Sequence, residues 1–152
     1  MKDPDPKVIK QLLADLRDIN KEKRRTAVVK LGMVGGEEAV RALIMVVKND
    51  YEDLIARGRA ALMLGKIRDA RAVMPLIEAL DAPGYQTPLF AAQALGNLGD
   101  TRAIEPLLAM LNSGHEKFRE AAVESLRKLG YKFDDAASPR LETVSLPEPE
   151  ME

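Results

Sequence analysis

The feature that most constrains this chain is a phrase that recurs four times, as AVVKLGMVGG from Ala27, AALMLGKIRD from Ala60, AAQALGNLGD from Ala91 and AVESLRKLG from Ala122. The starting alanines stand 60 − 27 = 33, 91 − 60 = 31 and 122 − 91 = 31 residues apart. A period of that size belongs to stacked repeat arrays, in which one supersecondary unit cannot bury its apolar face alone and neighbours supply the core. The expected product is a solenoid with a long, shallow surface built from equivalent positions.

Hydrophobic spacing assigns the unit. Val8, Ile9, Leu12, Leu13, Leu16 and Ile19 recur at helical intervals behind Asp3 or Asp5 as cap and Pro6 in the first turn, which predicts an opening helix. Ala27, Val28, Leu31 and Val34 form one apolar stripe that Gly35–Gly36 terminates. The pair then repeats as Glu37–Asn49 with Tyr51–Ile67, Ala70–Leu80 with Gln86–Leu98, and Thr101–Leu111 with Glu116–Leu129, separated by turn residues. The predicted fold is all-α, a superhelix of about four antiparallel helix pairs. Small residues (Ala60, Ala61, Ala91, Ala92, Ala122) fall where helices approach closely, and Leu31, Leu64, Leu95 and Leu126 fill the space between pairs. Pro75 and Pro106 share one repeat position, and a proline recurring in register implies a kink or a late first turn.

The combination R-x-x-A-x-x-x-L-G-x-(I/L)-G-D-x-R-A-(V/I)-x-P-L resembles the short HEAT-like repeat of the phycobilin-lyase type, over roughly Lys7–Leu129 and most fully from Ala91 to Leu111. The resemblance implies a HEAT-like superhelix, and the family includes chromophore-lyase subunits, iron-dependent deoxyhypusine hydroxylases and plain scaffolds. Three departures are visible: Pro88 stands where other copies have Arg24, Arg57 and Arg119, Arg127 replaces the repeat glycine, and Gly36 replaces the aspartate of Asp69 and Asp100. The ankyrin-like phrase Thr87–Pro88–Leu89 occurs once, against Lys23–Arg24, Ala56–Arg57 and Phe118–Arg119 at the aligned positions, and does not define the array.

Little in the sequence points to catalysis. No cysteine is present, which removes disulfides and thiolate sites, and the lone histidine, His115, lies out of register with the His-Glu pairs that the hydroxylase branch uses for iron. It reads as a loop histidine beside a helix cap. Asp69, Asp100, Arg71 and Arg102 recur in register and are expected to cap helices and pair between repeats. Arg24, Arg57 and Arg119 are expected to bridge neighbouring repeats. No catalytic, cofactor-binding or metal-ligating residue is therefore assigned, and no cofactor is expected.

The outward face of the second helices carries the functional expectation. Half a turn from the buried stripe lie Arg25, Val29 and Met33 in the first copy, Ile55, Arg59 and Leu62 in the second, Leu89, Phe90 and Gln93 in the third, with Tyr85 beside them, and Glu120 and Glu124 in the fourth. Apolar groups concentrate in the middle copies and charges at the ends, as in a protein-binding groove with a polar rim. Leu62, Leu89, Phe90, Ile55 and Tyr85 are expected to form one patch.

With 23 basic and 24 acidic side chains, the net charge of −1 gives no general attraction to nucleic acid or an anionic membrane. No apolar run approaches the roughly 18 residues of a membrane span. The expected protein is a cytoplasmic, monomeric interaction scaffold that binds another protein on its concave face. The alternative is an accessory subunit of a chromophore-lyase-like or other protein-modifying enzyme; nucleic acid is the weakest of the three, held open by Lys21, Lys23, Arg24 and Arg25. Residues 1–131 form the repeat domain. Residues 132–152, with two basic and six acidic residues and three prolines, are expected to be a disordered acidic tail.

Overall fold

In the computed structural model, which describes residues 3–134, eight α-helices follow one another as four antiparallel pairs, with no strand among the described residues. The first helix of each pair is α1 (Pro6–Asp15), α3 (Glu37–Lys48), α5 (Val73–Ala79) or α7 (Ile104–Met110). The second is α2 (Lys21–Val34), α4 (Leu54–Ile67), α6 (Gln86–Leu98) or α8 (Glu116–Lys128). None is long and apolar enough to cross a membrane. The expected tail lies outside the described residues from position 135 onward.

Local chemistry explains where helices begin. Asp5 accepts from the Lys7 amide and Pro6 takes the first helical position of α1. That helix ends at Asp15 rather than running through Ile19, because Asp18 accepts from the Asn20 amide and Asn20 then caps α2 by accepting from Glu22. Ile19 is left in the turn, 98% exposed. Likewise Asn49 accepts from the Tyr51 amide and Asp53 from Ala56, so α4 starts at Leu54 and Tyr51, expected inside the helix, stays in the connection, 98% exposed.

Before α5 and α7 the chain makes a short 3₁₀ turn, Ala70–Ala72 and Thr101–Ala103, capped by Asp69 and Asp100 through the Arg71 and Arg102 amides. The α-helix therefore begins at Val73 or Ile104, and Pro75 and Pro106 sit in its first turn, where a missing N–H leaves no bond unmade. This is the late first turn that a recurring proline implies. Glu37, which follows Gly36 rather than an aspartate and has no proline downstream, opens α3 directly.

The repeat phrase itself ends in a left-handed residue. Gly35, Gly99 and Gly130 have φ of 67°, 75° and 89°, and Arg68 takes the same repeat position with φ of 64° despite its side chain. Val34 lies at the frayed end of its stripe and is exposed, against the expectation that it faces inward. The rest of the stripe holds: Ala27, Val28, Leu31, Ala60, Leu64, Ala91, Leu95, Ala122 and Leu126 are all buried in one continuous core.

Glycine explains how the pairs stack. A Cβ on Gly65 of α4 would lie 2.8 Å from Ala94 Cα in α6, one on Gly96 of α6 would lie 2.9 Å from Ser125 Cα in α8, and one on Gly32 of α2 would lie 2.5 Å from Met63 Cβ. The Leu-Gly of the first three phrases is thus a point where consecutive second helices approach more closely than a Cβ would permit. At the α6–α8 contact the Ser125 hydroxyl also donates to the Ala92 carbonyl at 2.6 Å. Second helices make more extensive contact with one another than first helices do, so the stack curves with α2, α4, α6 and α8 on its inner wall. Arg127 occupies the glycine position on α8, where no further second helix packs among the described residues and its guanidinium lies 5.6 Å from the centre of the Phe133 ring.

Candidate functional site

The two central second helices, α4 and α6, bury most of their circumference, and on α4 what remains accessible is a narrow stripe. On α4 it consists of Ile55, Arg59, Leu62 and Lys66, at the i, i+4, i+7, i+11 spacing of one helical face. Residues on either side of it, from Ala56 to Gly58, Ala60, Ala61 and Met63 to Gly65, are buried against α2, α3 and α6. The α4 stripe alternates apolar and basic groups, with Ile55 and Leu62 half-buried and neither cation in a hydrogen bond or ion pair among the described residues. Beside it on α2 lie Val29, half-buried, and Met33, 75% exposed. On α6 lie Gln93 and Asn97, exposed, and on α8 Glu120 and Glu124, both exposed.

Some expected wall residues behave differently. Arg25 is not presented to a partner: its Nε and Nη2 donate to the two Asp53 carboxylate oxygens at 2.6 and 2.8 Å and its Nη1 to Glu22 at 2.8 Å, tying α2 to the start of α4. Leu89 and Phe90 are half-buried and packed against the core rather than standing out from the wall. Leu89 takes in α6 the repeat position that Gly58 takes in α4, the side pressed against the next second helix, where a Cβ on Gly58 would meet Gln86. Gly58, at that same repeat position, and Ala121, one residue before the repeat alanine, are buried as well.

Tyr85 joins a different group. Its ring lies 5.2 Å from that of His115 and 5.8 Å from that of Phe118, and the latter two stack at 4.4 Å. Leu54 reaches this strip from α4, its Cδ1 3.0 Å from where a Cβ on Gly84 would stand. An apolar strip therefore follows the N-terminal edge of the second helices, from Leu54 through Tyr85 to His115 and Phe118, rather than the middle of the wall. His115 and Phe118 are the residues that sequence reasoning missed. The available signal was positional: Tyr85 and His115 hold the cap positions that Asn20 and Asp53 fill with hydrogen-bonding side chains, and neither aromatic makes a side-chain cap bond.

The charged residues in register do structural work. Donation from Arg25 above all, with a further hydrogen bond from the Ala56 amide, holds the Asp53 carboxyl at about 2, well under its ordinary 3.8. Arg71 binds Asp69 within its turn and Glu37 of the preceding repeat at 2.6 Å, whereas Arg102 binds Asp100 alone. The expectation that Arg24, Arg57 and Arg119 bridge repeats needs correction. Arg57, 4% exposed, donates to the Val47 carbonyl, and Arg119 donates to the Ser113 carbonyl, each fastening the connection inside its own pair. Only Arg24 also crosses to the next repeat, through Glu52. Carbonyls left free near a helix end make a good target for a fixed guanidinium, which explains the recurrence of that arginine. Among the described residues no group of three or more His, Cys, Asp or Glu side chains converges as a metal site.

Known proteins bear out the architecture. Of the solved structures, the complex of CpcE and CpcF of phycocyanin lyase from Nostoc sp. PCC7120 is similar at 28% identity and a TM-score of 0.70, over 80% of this chain and 53% of that one. Human deoxyhypusine hydroxylase is similar at 23% identity and a TM-score of 0.70, over 85% of this chain and 46% of that one, a likeness of fold alone. An engineered protein matches at 21% identity and a TM-score of 0.60, over 83% of this chain and 64% of that one. The chain thus spans about half the length of the first two. No curated protein sequence matches it. The model of HEAT repeats matches residues 6–86 and 73–149, and with the stacked helix pairs already described this establishes that the chain belongs to the HEAT-repeat family.

Proposed function

We propose that the chain is a non-catalytic interaction module that holds another protein against the wall of its second helices. The observation that carries this reading is the α4 stripe Ile55–Arg59–Leu62–Lys66, an accessible apolar and basic surface at the centre of the wall, bordered by the exposed Leu54, Tyr85 and His115, which rest on the half-buried Phe118. Tyrosine and arginine are enriched among the residues that dominate protein interfaces, and here Tyr85 and Arg59 stand beside accessible aliphatic groups. A fixed, curved wall also presents them without an ordering penalty, which favours a rigid platform over an adaptable one.

Affinity capture from the native host tests the reading, with Leu62→Glu and Tyr85→Ala on the proposed face and Met45→Glu and Met74→Glu on the exposed side of α3 and α5. A partner lost with the first two variants and kept with the second two supports the wall. The opposite pattern moves the binding surface to the first helices and ends the proposal.

A second reading is favoured by the likeness to the CpcE and CpcF complex, a pairing of two lyase subunits. In it the module is the accessory half of a protein-modifying enzyme and offers a substrate protein to chemistry held on another chain. Co-purification with a second subunit whose activity depends on this one distinguishes it from a free-standing scaffold.

A further inference from the structure

We propose that the wall is occupied in the free protein by the chain's own carboxyl-terminal segment, residues 141–152, which a protein partner must displace. The proposal rests on the reading of the wall as the binding face and names the regulation of that face.

Charge on the wall is unevenly matched. Arg25 pairs with Asp53 and Glu22, Lys117 with Glu120 and Lys128 with Glu124, whereas Arg59 and Lys66 at the centre have no ionic partner among the described residues. The middle of the wall therefore carries two cations without an ionic partner among the described residues, alternating with Ile55 and Leu62. Its complement is a segment that combines a few apolar groups with carboxylates. The sequence Leu141–Glu152, LETVSLPEPEME, has that composition: Leu141, Val144 and Leu146 lie within six residues, and Glu148, Glu150 and Glu152 follow at alternate positions. Residues 135–152 hold five acidic and one basic side chain, a net of −4, against −1 − (−4) = +3 for residues 1–134. Opposite charges on two parts of one chain attract at the Debye-scale distances of a groove.

Reach is sufficient. The described chain ends at Asp134, just beyond α8, two second helices away from α4. At roughly 8–10 Å between packed helix axes the gap is about 20 Å. Residues 135–140 span up to about 20 Å when extended, which brings Leu141 to the wall. A tether of this length gives an effective concentration on the order of millimolar, so a weak contact is enough to keep the segment in place, and a partner of higher affinity still removes it.

The absence of cysteine allows a clean test on the full chain. A nitroxide on Ser145→Cys should reduce the backbone amide NMR intensities of Arg59, Leu62 and Gln93 at least twofold while sparing Met45 and Met74. Adding Arg59→Glu with Lys66→Glu, both outside the core, should restore those intensities with the circular dichroism unchanged. Uniform weak broadening, broadening confined to the first helices, or wall broadening that survives the double charge reversal overturns the proposal. Loss of the tail effect with partner capture still sensitive to Leu62→Glu sinks this inference alone. Wall broadening together with capture that ignores every wall variant sinks the interaction reading instead.

Discussion

Replacing Gly65 by alanine isolates the contact that sets the stacking of the array. In an ordinary helix interior this change is favourable by about 1 kcal/mol, because glycine has more backbone freedom to lose. Here the added methyl lands 2.8 Å from both Cα and Cβ of Ala94, where ordinary contact begins near 3.4 Å. Neither partner atom has a torsion that moves it aside, so α4 and α6 must separate by about 0.6 Å or more, and a gap of that size forfeits a quarter to a half of each contact across the seam. Overpacking of this kind typically costs about 1–3 kcal/mol, and a backbone obstacle puts Gly65 at the upper end. Set against the helix preference, the net expectation is a loss of about 2 kcal/mol, a fall in melting temperature of about 4–8 °C. Urea denaturation followed by far-ultraviolet circular dichroism measures it. Arg127→Gly, at the same repeat position on α8, is the counterpart: no helix among the described residues packs against it, so the cost is the propensity term of about 1 kcal/mol plus at most about 1 kcal/mol from the lost cation–π contact with the Phe133 ring at 5.6 Å. A Gly65→Ala protein as stable as the parent, or more so, refutes the claim that glycine is there for the approach of the next helix.

Leu95→Ala empties a site that is 0% exposed between α6 and its neighbours and should destabilise by about 2–5 kcal/mol in the same assay. Arg68→Gly should do the reverse, gaining up to about 1 kcal/mol by relieving a left-handed conformation that a side chain disfavours. For Asp53 the folded carboxyl titrates near 2, below its usual 3.8, so its contribution is complete above about pH 5 and is lost as pH falls through 4 to 2. After allowance for solvent screening that contribution is about 1 kcal/mol. Acid denaturation of Asp53→Asn should show a correspondingly smaller drop in stability between pH 5 and 2 than the parent. Tyr85→Ala should leave the melting temperature within about 2 °C while weakening partner binding, whereas Phe90→Ala should lower stability, because Phe90 packs on the core and Tyr85 on an exposed strip.

The repeat, the helix pairs and the buried stripe are all legible in the amino-acid order. Periodicity reports burial directly: Ala60, Leu64, Ala91 and Leu95 recur because each must fit the same environment in successive units, and a requirement shared by several copies stands out from the background of one chain. Asp69 and Asp100 were legible as caps for the same reason, since a cap acts on an amide two residues away. The ends of α1 and α4 were less legible. Asp18, Asn20 and Asn49 compete with the helix through short side-chain hydrogen bonds, and apolar spacing at Ile19 and Tyr51 carries no trace of that competition.

Only the tertiary structure decided which accessible side chains form a surface. Half a turn from the buried stripe puts Leu89, Phe90 and Leu62 on one face of their helices, but a second helix has neighbours on two sides as well as beneath it. Stacking through Gly32, Gly65 and Gly96 brings those neighbours so close that Leu89 and Phe90 sink toward the core and the free stripe on α4 narrows to Ile55, Arg59, Leu62 and Lys66. The pairing of Arg25 with Asp53 and the gathering of Tyr85, His115 and Phe118 join residues 28, 30 and 33 positions apart. Helical period describes one helix at a time, and the distance between helices that makes such partners is set by packing across the whole array.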